Sequence, residues 1–155
     1  MKEFFFDTAN IDFINSTMDK YGSKINRKWV KGITTNPNAF SKINKFQLEE
    51  WLLHVGEMSN LISDIRGDNQ GEIHIQAPYS HADPDIILKY SEMISTLCES
   101  KCNVGMKIPP YSKVLKKVNL FNKNVITNVT GIADSATALK CCTYDVGYIS
   151  IIPGR

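Results

Sequence analysis

Lys107 closes an otherwise uncharged, strand-like run, Cys102-Asn103-Val104-Gly105-Met106-Lys107-Ile108-Pro109-Pro110. An amine held among apolar neighbours loses hydration in its charged form, so its pKa falls and the neutral nucleophile becomes available. That is the chemistry of a Schiff-base lysine working on a carbonyl. The other strand-like runs also end in polar residues suited to carbonyl or phosphate chemistry. Asp7 follows Phe4-Phe5-Phe6, Thr34-Thr35-Asn36 follows Gly32-Ile33, and Gln76 follows Ile73-His74-Ile75. Asn128 and Thr130 follow Val125-Ile126, and Arg155 comes after the last run. Each has a plainer reading. Asp7 reads equally well as the N-cap of a following helix, Asn36-Pro37 as a turn, and Gln76, Asn128 and Thr130 as partners for buried backbone groups. His74 reads as a packed, hydrogen-bonded interior histidine.

The elements that must hold these side chains alternate along the chain. Strands are expected over Glu3–Phe6, Trp29–Thr34, Glu72–Ala77, Asn103–Ile108, Val125–Thr130 and Tyr148–Ile152, and helices over Ile11–Tyr21, Phe46–Ile65, Pro84–Glu99, Ser112–Phe121 and Ser135–Thr143. The helix from Pro84 shows the period well, with Ile86, Ile87, Tyr90, Met93, Ile94 and Leu97 on one face. Asp83 and Asp134 are placed to cap the helices that follow them, and the polar stretch Ser63–Gln70 reads as a surface loop. Strict βα alternation implies a parallel sheet, doubly wound or closed as a barrel. A doubly wound sheet concentrates its site at one switch point. A barrel gathers residues from many strand ends at one mouth, which suits the polar tips here.

Residues two apart on a strand share a face. That pairs Phe5 with Asp7, His74 with Gln76, Gly105 with Lys107, Ile126 with Asn128 and Thr130, and Tyr148 with Ser150 and Ile152, so all these groups converge if the faces point to a common axis. The fold class expected is therefore α/β, a TIM (β/α)8-type barrel in one domain over residues 1–155. With six strand candidates it is incomplete: two further units of about 25 residues would need roughly 50 to 60 more.

Net charge is +2, too small to argue for nucleic acid. No apolar run approaches the roughly 20 residues needed to span a bilayer, so no membrane partner is expected. The phosphate loops of nucleotide-binding folds are absent. The four cysteines, Cys98, Cys102, Cys141 and Cys142, form no paired CxxC or Cys/His cluster, so no metal is expected. Packed thiols and the lack of a leader segment point to the cytoplasm.

At these residues the sequence resembles the transaldolase family, especially its short branch that includes fructose-6-phosphate aldolase. The resemblance rests on Phe6-Asp7-Thr8-Ala9-Asn10, Gly32-Ile33-Thr34-Thr35-Asn36-Pro37, Met106-Lys107-Ile108-Pro109, Asn128-Val129-Thr130 and Ser150-Ile151-Ile152-Pro153-Gly154-Arg155. It spans the chain in order and corresponds to about the first two-thirds of a member. It implies a class I aldol mechanism on sugar phosphates, with no cofactor. Lys107 would form the iminium, and Asp7 would act as general acid and base. Thr130 and Gln76 would position a water. Thr34, Asn36 and Asn128 would hold the bound three-carbon unit, and Ser150 and Arg155 would grip the phosphate.

The resemblance further implies a homo-oligomer in the pentose phosphate pathway. Gln76 follows the aldolase branch, where classical transaldolases carry glutamate, whereas Asn128, Ser150 and Arg155 follow the transaldolase pattern. Ile152 stands where both show an aromatic residue. Three readings stay open: a transaldolase, a fructose-6-phosphate aldolase, and a catalytically silent fragment.

Overall fold

Among the described residues, six strands rich in aromatic and β-branched residues carry the fold: β1 (Phe4–Asp7), β2 (Val30–Thr34), β3 (Glu72–Gln76), β4 (Asn103–Ile108), β5 (Val125–Ile132) and β6 (Tyr148–Ile151). A computed structural model describes residues 2–78, 83–120 and 125–152. The strands pair in chain order, β1 to β6, every neighbour parallel. Helices cover the outer face of the sheet, as parallel crossovers require.

The sheet curls. Although β1 and β6 are not neighbours, Phe5 of β1 meets Tyr148 of β6 with ring centroids 5.8 Å apart. His74 of β3 stands 4.8 Å from each of those rings. Three strands spread across the sheet thus meet at one axis, and the fold is an open, incomplete α/β barrel of the TIM type.

Outward-facing residues form the dry core. Ile33, Ile73, Ile75, Met106, Ile108 and Val129 are fully buried, packed under α3 (Leu48–Arg66), α4 (Pro84–Leu97) and α6 (Ser135–Cys141). Trp51 of α3 lies inside this layer and its indole N–H donates to the Tyr90 hydroxyl of α4 at 2.5 Å. Trp29, by contrast, is half exposed and ends a 3-10 turn, Arg27–Trp29, rather than opening β2.

Caps mark the helix starts. Asn10 accepts from the Phe13 N–H at 2.9 Å to begin α1 (Ile11–Tyr21), Asp83 accepts from Asp85 N–H at 2.9 Å, and Asp134 from Thr137 N–H at 2.7 Å. Asn36-Pro37 is more than a turn: Asn36 caps and Pro37 opens a short helix, α2 (Pro37–Phe40). Two expectations from periodicity are corrected. The helix from Ser112 stops at Leu115 (α5, Ser112–Leu115) and resumes as a 3-10 turn, Val118–Leu120. The polar stretch after Ser63 remains helical to Arg66, because Gly67 at φ 67 supplies the left-handed C-cap. Arg66 then bonds back to Asp68 and to the Lys28 and Val30 carbonyls. No helix among the described residues is long and apolar enough to cross a membrane. The four cysteines are free.

Candidate active site

The carboxyl ends of the parallel strands open into a cleft of about 590 Å³. Its lining takes Asp7 from β1, Thr34 from β2, Gln76 from β3, Lys107 from β4, Thr130 from β5 and Ser150 from β6, joined by Asn36 at the start of α2. One side chain thus arrives from every strand, as the shared-face pattern predicts. Asn128 is brought close but not to the cleft wall. It is buried beneath Ser150, whose hydroxyl donates to its Oδ1 at 2.8 Å. Arg155 lies outside the described residues.

Lys107 is 8% exposed. Its Nζ donates to Thr34 Oγ1 at 2.9 Å, a neutral hydroxyl that compensates a buried ammonium far less than a carboxylate would. Burial pulls the amine below its ordinary pKa, and the negative charge of Asp7 only partly opposes that pull. The neutral, nucleophilic form is therefore easier to reach than in an exposed lysine.

Asp7 is exposed in the cleft. The capping role that competes for it in the sequence belongs instead to Asn10, so its carboxylate is left to face the cavity. Ala9, just beyond it, is fixed by His54, whose Nε2 lies 2.6 Å from the Ala9 carbonyl oxygen. Asn36 is half-committed: its Oδ1 accepts from the Ala39 N–H at 2.9 Å, so the amide NH2 is the end that can meet a ligand. On β5 the register slips between Thr130 and Ile132, with Gly131 at φ 81. This bulge re-aims the strand just after Thr130, and only glycine adopts that backbone freely.

Beneath the cleft lies a second polar layer that sequence reasoning largely missed. Glu72 is buried and receives Lys31 Nζ at 2.9 Å and His74 Nε2 at 2.9 Å, with the Tyr148 hydroxyl also donating to it. Burial pushes the Glu72 carboxyl up, but these three hydrogen bonds outweigh it and hold the group below its ordinary pKa. Tyr148 moves the other way: burial and the adjacent carboxylate raise it, so it stays a neutral donor. On its far side His74 Nδ1 meets Asn128 Nδ2 at 2.8 Å. His74 is thus a packed, hydrogen-bonded interior histidine, as its setting in the sequence suggests.

Gly105 explains how the imidazole fits. A Cβ there would lie 2.4 Å from the ring, so glycine opposite His74 is a steric requirement. Glu72, two residues before His74, was within reach of the same alternation argument. Lys31 was not, because a register shift at the start of the β1–β2 pair turns it to the inner face against simple alternation. At the rim, Asn38 and the exposed Tyr111 line the cleft without any sequence signal marking them. Among the described residues, no group of three or more His, Cys, Asp or Glu side chains is gathered to hold a metal.

The family model for transaldolase/fructose-6-phosphate aldolase matches residues 4–155. The chain belongs to that family. A probable transaldolase of Desulforapulum autotrophicum is 29% identical over 154 residues, covering 99% of this chain and 61% of the relative. A probable transaldolase of a Hydrogenobaculum species is 28% identical over 156 residues, covering 99% of the chain and 60% of the relative. One from a Sulfurihydrogenibium species is 27% identical over 154 residues, with 99% and 61% covered. The chain therefore spans about three-fifths of the length of these curated transaldolase relatives.

Proposed function

We propose that this chain carries the Schiff-base half-site of a transaldolase acting on sugar phosphates. The observation that carries the reading is Lys107: a buried amine of lowered pKa, bonded to a neutral hydroxyl, in one cleft with a free carboxylate. The amine attacks the C2 ketone of fructose 6-phosphate, and loss of water leaves an iminium. Asp7 takes the proton of the C4 hydroxyl as the C3–C4 bond breaks, and the electron pair is drawn into the iminium. Glyceraldehyde 3-phosphate leaves, and the bound enamine attacks the aldehyde of erythrose 4-phosphate. Hydrolysis then releases sedoheptulose 7-phosphate and the free amine. Gln76 and Thr130 position the water for the proton transfers, and Thr34, Asn36 and Asn128 support the three-carbon unit. Arg155 takes the phosphate as a charge-assisted fork. On this reading the protein works in the cytoplasm, in the pentose phosphate pathway, as an assembly of identical chains.

A second reading is favoured by Gln76. A neutral amide in the cleft orients water but accepts no proton as a carboxylate does, which suits simple release of dihydroxyacetone by a fructose-6-phosphate aldolase. One experiment addresses both. Incubation with fructose 6-phosphate and borohydride should leave a reduced adduct on Lys107, read by peptide mass spectrometry; an unlabelled Lys107 removes both enzymatic readings and leaves a silent fragment. With erythrose 4-phosphate added, sedoheptulose 7-phosphate marks the transferase and free dihydroxyacetone the aldolase.

A further inference from the structure

Asp7 has no hydrogen-bond or ion-pair partner among the described residues, so the direction of its carboxylate is set by the backbone that carries it. That backbone is β1 and the loop of residues 8–10 before α1. On the strand side the loop is tied down. Asp7 sits opposite Thr34 in the β1–β2 register, and the Thr8 N–H donates to the Thr34 carbonyl at 3.1 Å. On the helix side the hold is slight, because Ile14 is the one buried residue of α1. We propose that His54 supplies the second restraint: it is a positioning residue that clamps this loop from α3 and so fixes where Asp7 stands relative to Lys107. The proposal rests on the Schiff-base reading above for the reaction it serves, while the clamp itself is a matter of geometry.

His54 lies on the buried stripe of α3, three residues after Trp51 and four before Met58, both fully buried. A polar ring in that position needs a partner. It finds one in the carbonyl of Ala9, itself buried, whose oxygen is 2.6 Å from Nε2. This carbonyl has no place in the helix ladder. Asn10 is the N-cap, and its carbonyl accepts from the Ile14 N–H at 3.3 Å. One residue earlier, the Ala9 carbonyl has to be satisfied from outside α1. A carbonyl only accepts, so Nε2 must carry a hydrogen, in the neutral ring and in the imidazolium alike. The clamp therefore needs no particular charge on His54. The nearest carboxylate, Glu57, is exposed and stands 3.6 Å from Nδ1, too far for a hydrogen bond.

The same ring packs on Phe40 at the end of α2, with centroids 5.0 Å apart, and Phe40 meets Trp51 at 5.4 Å. Asn36 caps α2. One imidazole thus joins the loop after Asp7 and the helix after Asn36 to α3, which is anchored by buried residues from Trp51 to Ile65. Without the Nε2–H bond the loop can shift, and the carboxylate falls out of line with the hydroxyl it serves. Lys107 would stay in place, since β4 and Thr34 hold it. Carbon–carbon cleavage should suffer and adduct formation should not.

Two substitutions separate the bond from the packing. His54→Phe keeps a ring against Phe40 but removes the donor, and His54→Gln keeps a donor of similar reach. With fructose 6-phosphate, His54→Phe should slow single-turnover cleavage about 10- to 100-fold, and His54→Gln should recover most of that loss. Borohydride trapping of dihydroxyacetone on Lys107 should proceed at the wild-type rate in both. In an Asp7→Asn background His54→Phe should add nothing, because the ring acts through that carboxylate. Cleavage at the wild-type rate, trapping slowed as much as cleavage, or losses that multiply with Asp7→Asn would each overturn the proposal. Two readouts stand apart from activity. Nitrogen NMR of the wild-type chain should find the hydrogen on His54 Nε2 on both sides of the imidazole titration; a neutral ring protonated at Nδ1 overturns the clamp. Amide exchange at Thr8 and Asn10 should quicken about tenfold in His54→Phe and not in His54→Gln, and unchanged exchange in His54→Phe overturns it too. If the wild type gives no adduct, the Schiff-base reading fails, and these two readouts alone decide the clamp.

Discussion

The two faces of the sheet are built from the same six strands, yet they obey opposite rules. Toward the helices, Ile33, Ile73, Ile75, Met106, Ile108 and Val129 make a buried, predominantly apolar layer. Toward the axis, the intervening positions carry Thr34, Glu72, His74, Gln76, Lys107, Asn128 and Ser150. The outer face stabilises the fold by removing apolar area from water. The inner face gives up that gain to hold polar and charged groups in fixed geometry. A fold that keeps stability on one side of its strands and chemistry on the other can vary the second while preserving the first.

The contrast can be broken from either side. Asp7→Asn should leave capping and folding intact, since Asn10 caps α1. It should slow carbon–carbon cleavage about 10²- to 10⁴-fold while the Lys107 adduct still forms; comparing single-turnover cleavage with borohydride trapping separates the two steps. On the outer face, Ile75→Ala in a fully buried position should cost about 3 kcal/mol in urea unfolding and leave an adduct in whatever fraction stays folded.

Glu72→Gln should cost about 3 kcal/mol, because it strands Lys31 beside a neutral amide. The sign of its pH effect is fixed by linkage. Glu72 is held below its ordinary pKa of 4.5, so its contribution is present above that value and is lost as pH falls through the lower folded-state value. Acid unfolding of the wild type should therefore begin below about pH 4.5, and the variant should lack that part of the slope.

Lys107→Met should raise stability by about 1 kcal/mol at neutral pH, the opposite sign from the outer face. A lysine whose folded pKa is lowered binds fewer protons folded than unfolded. Wild-type stability should hence rise as pH climbs from the folded-state value toward 10.5, and the variant should be flat across that window. The smallest change sharpens the assignment of roles: Asn10→Ala should cost about 1 kcal/mol, the worth of a helix cap, with trapping on Lys107 unaltered.

Much of this division was visible in the sequence. Period-2 alternation placed Asp7, Gln76, Lys107, Thr130 and Ser150 on one face, because successive side chains of a regular strand point to opposite faces. The same rule put Asn128 on that face but could not show its depth, since the layer a residue occupies depends on the stagger between strands. Lys31 was hidden by a register shift that only the paired strands reveal. The helix from Ser112 was overextended because Val114, Leu115 and Val118 are buried at helical spacing, while the backbone changes to a 3-10 turn between them. Asn10 and Asp7 were indistinguishable as caps by residue type, and the helix start decided between them.

In the proposed reaction Lys107 serves as a nucleophile because it loses its proton below the pH at which lysines ordinarily do. The direct measurement is the rate of borohydride-trapped dihydroxyacetone adduct at Lys107 as a function of pH, read residue by residue by mass spectrometry. The expected result is labelling concentrated on Lys107, with a midpoint below 10.5. Labelling spread over the surface lysines, or a Lys107 midpoint at 10.5 itself, would contradict it.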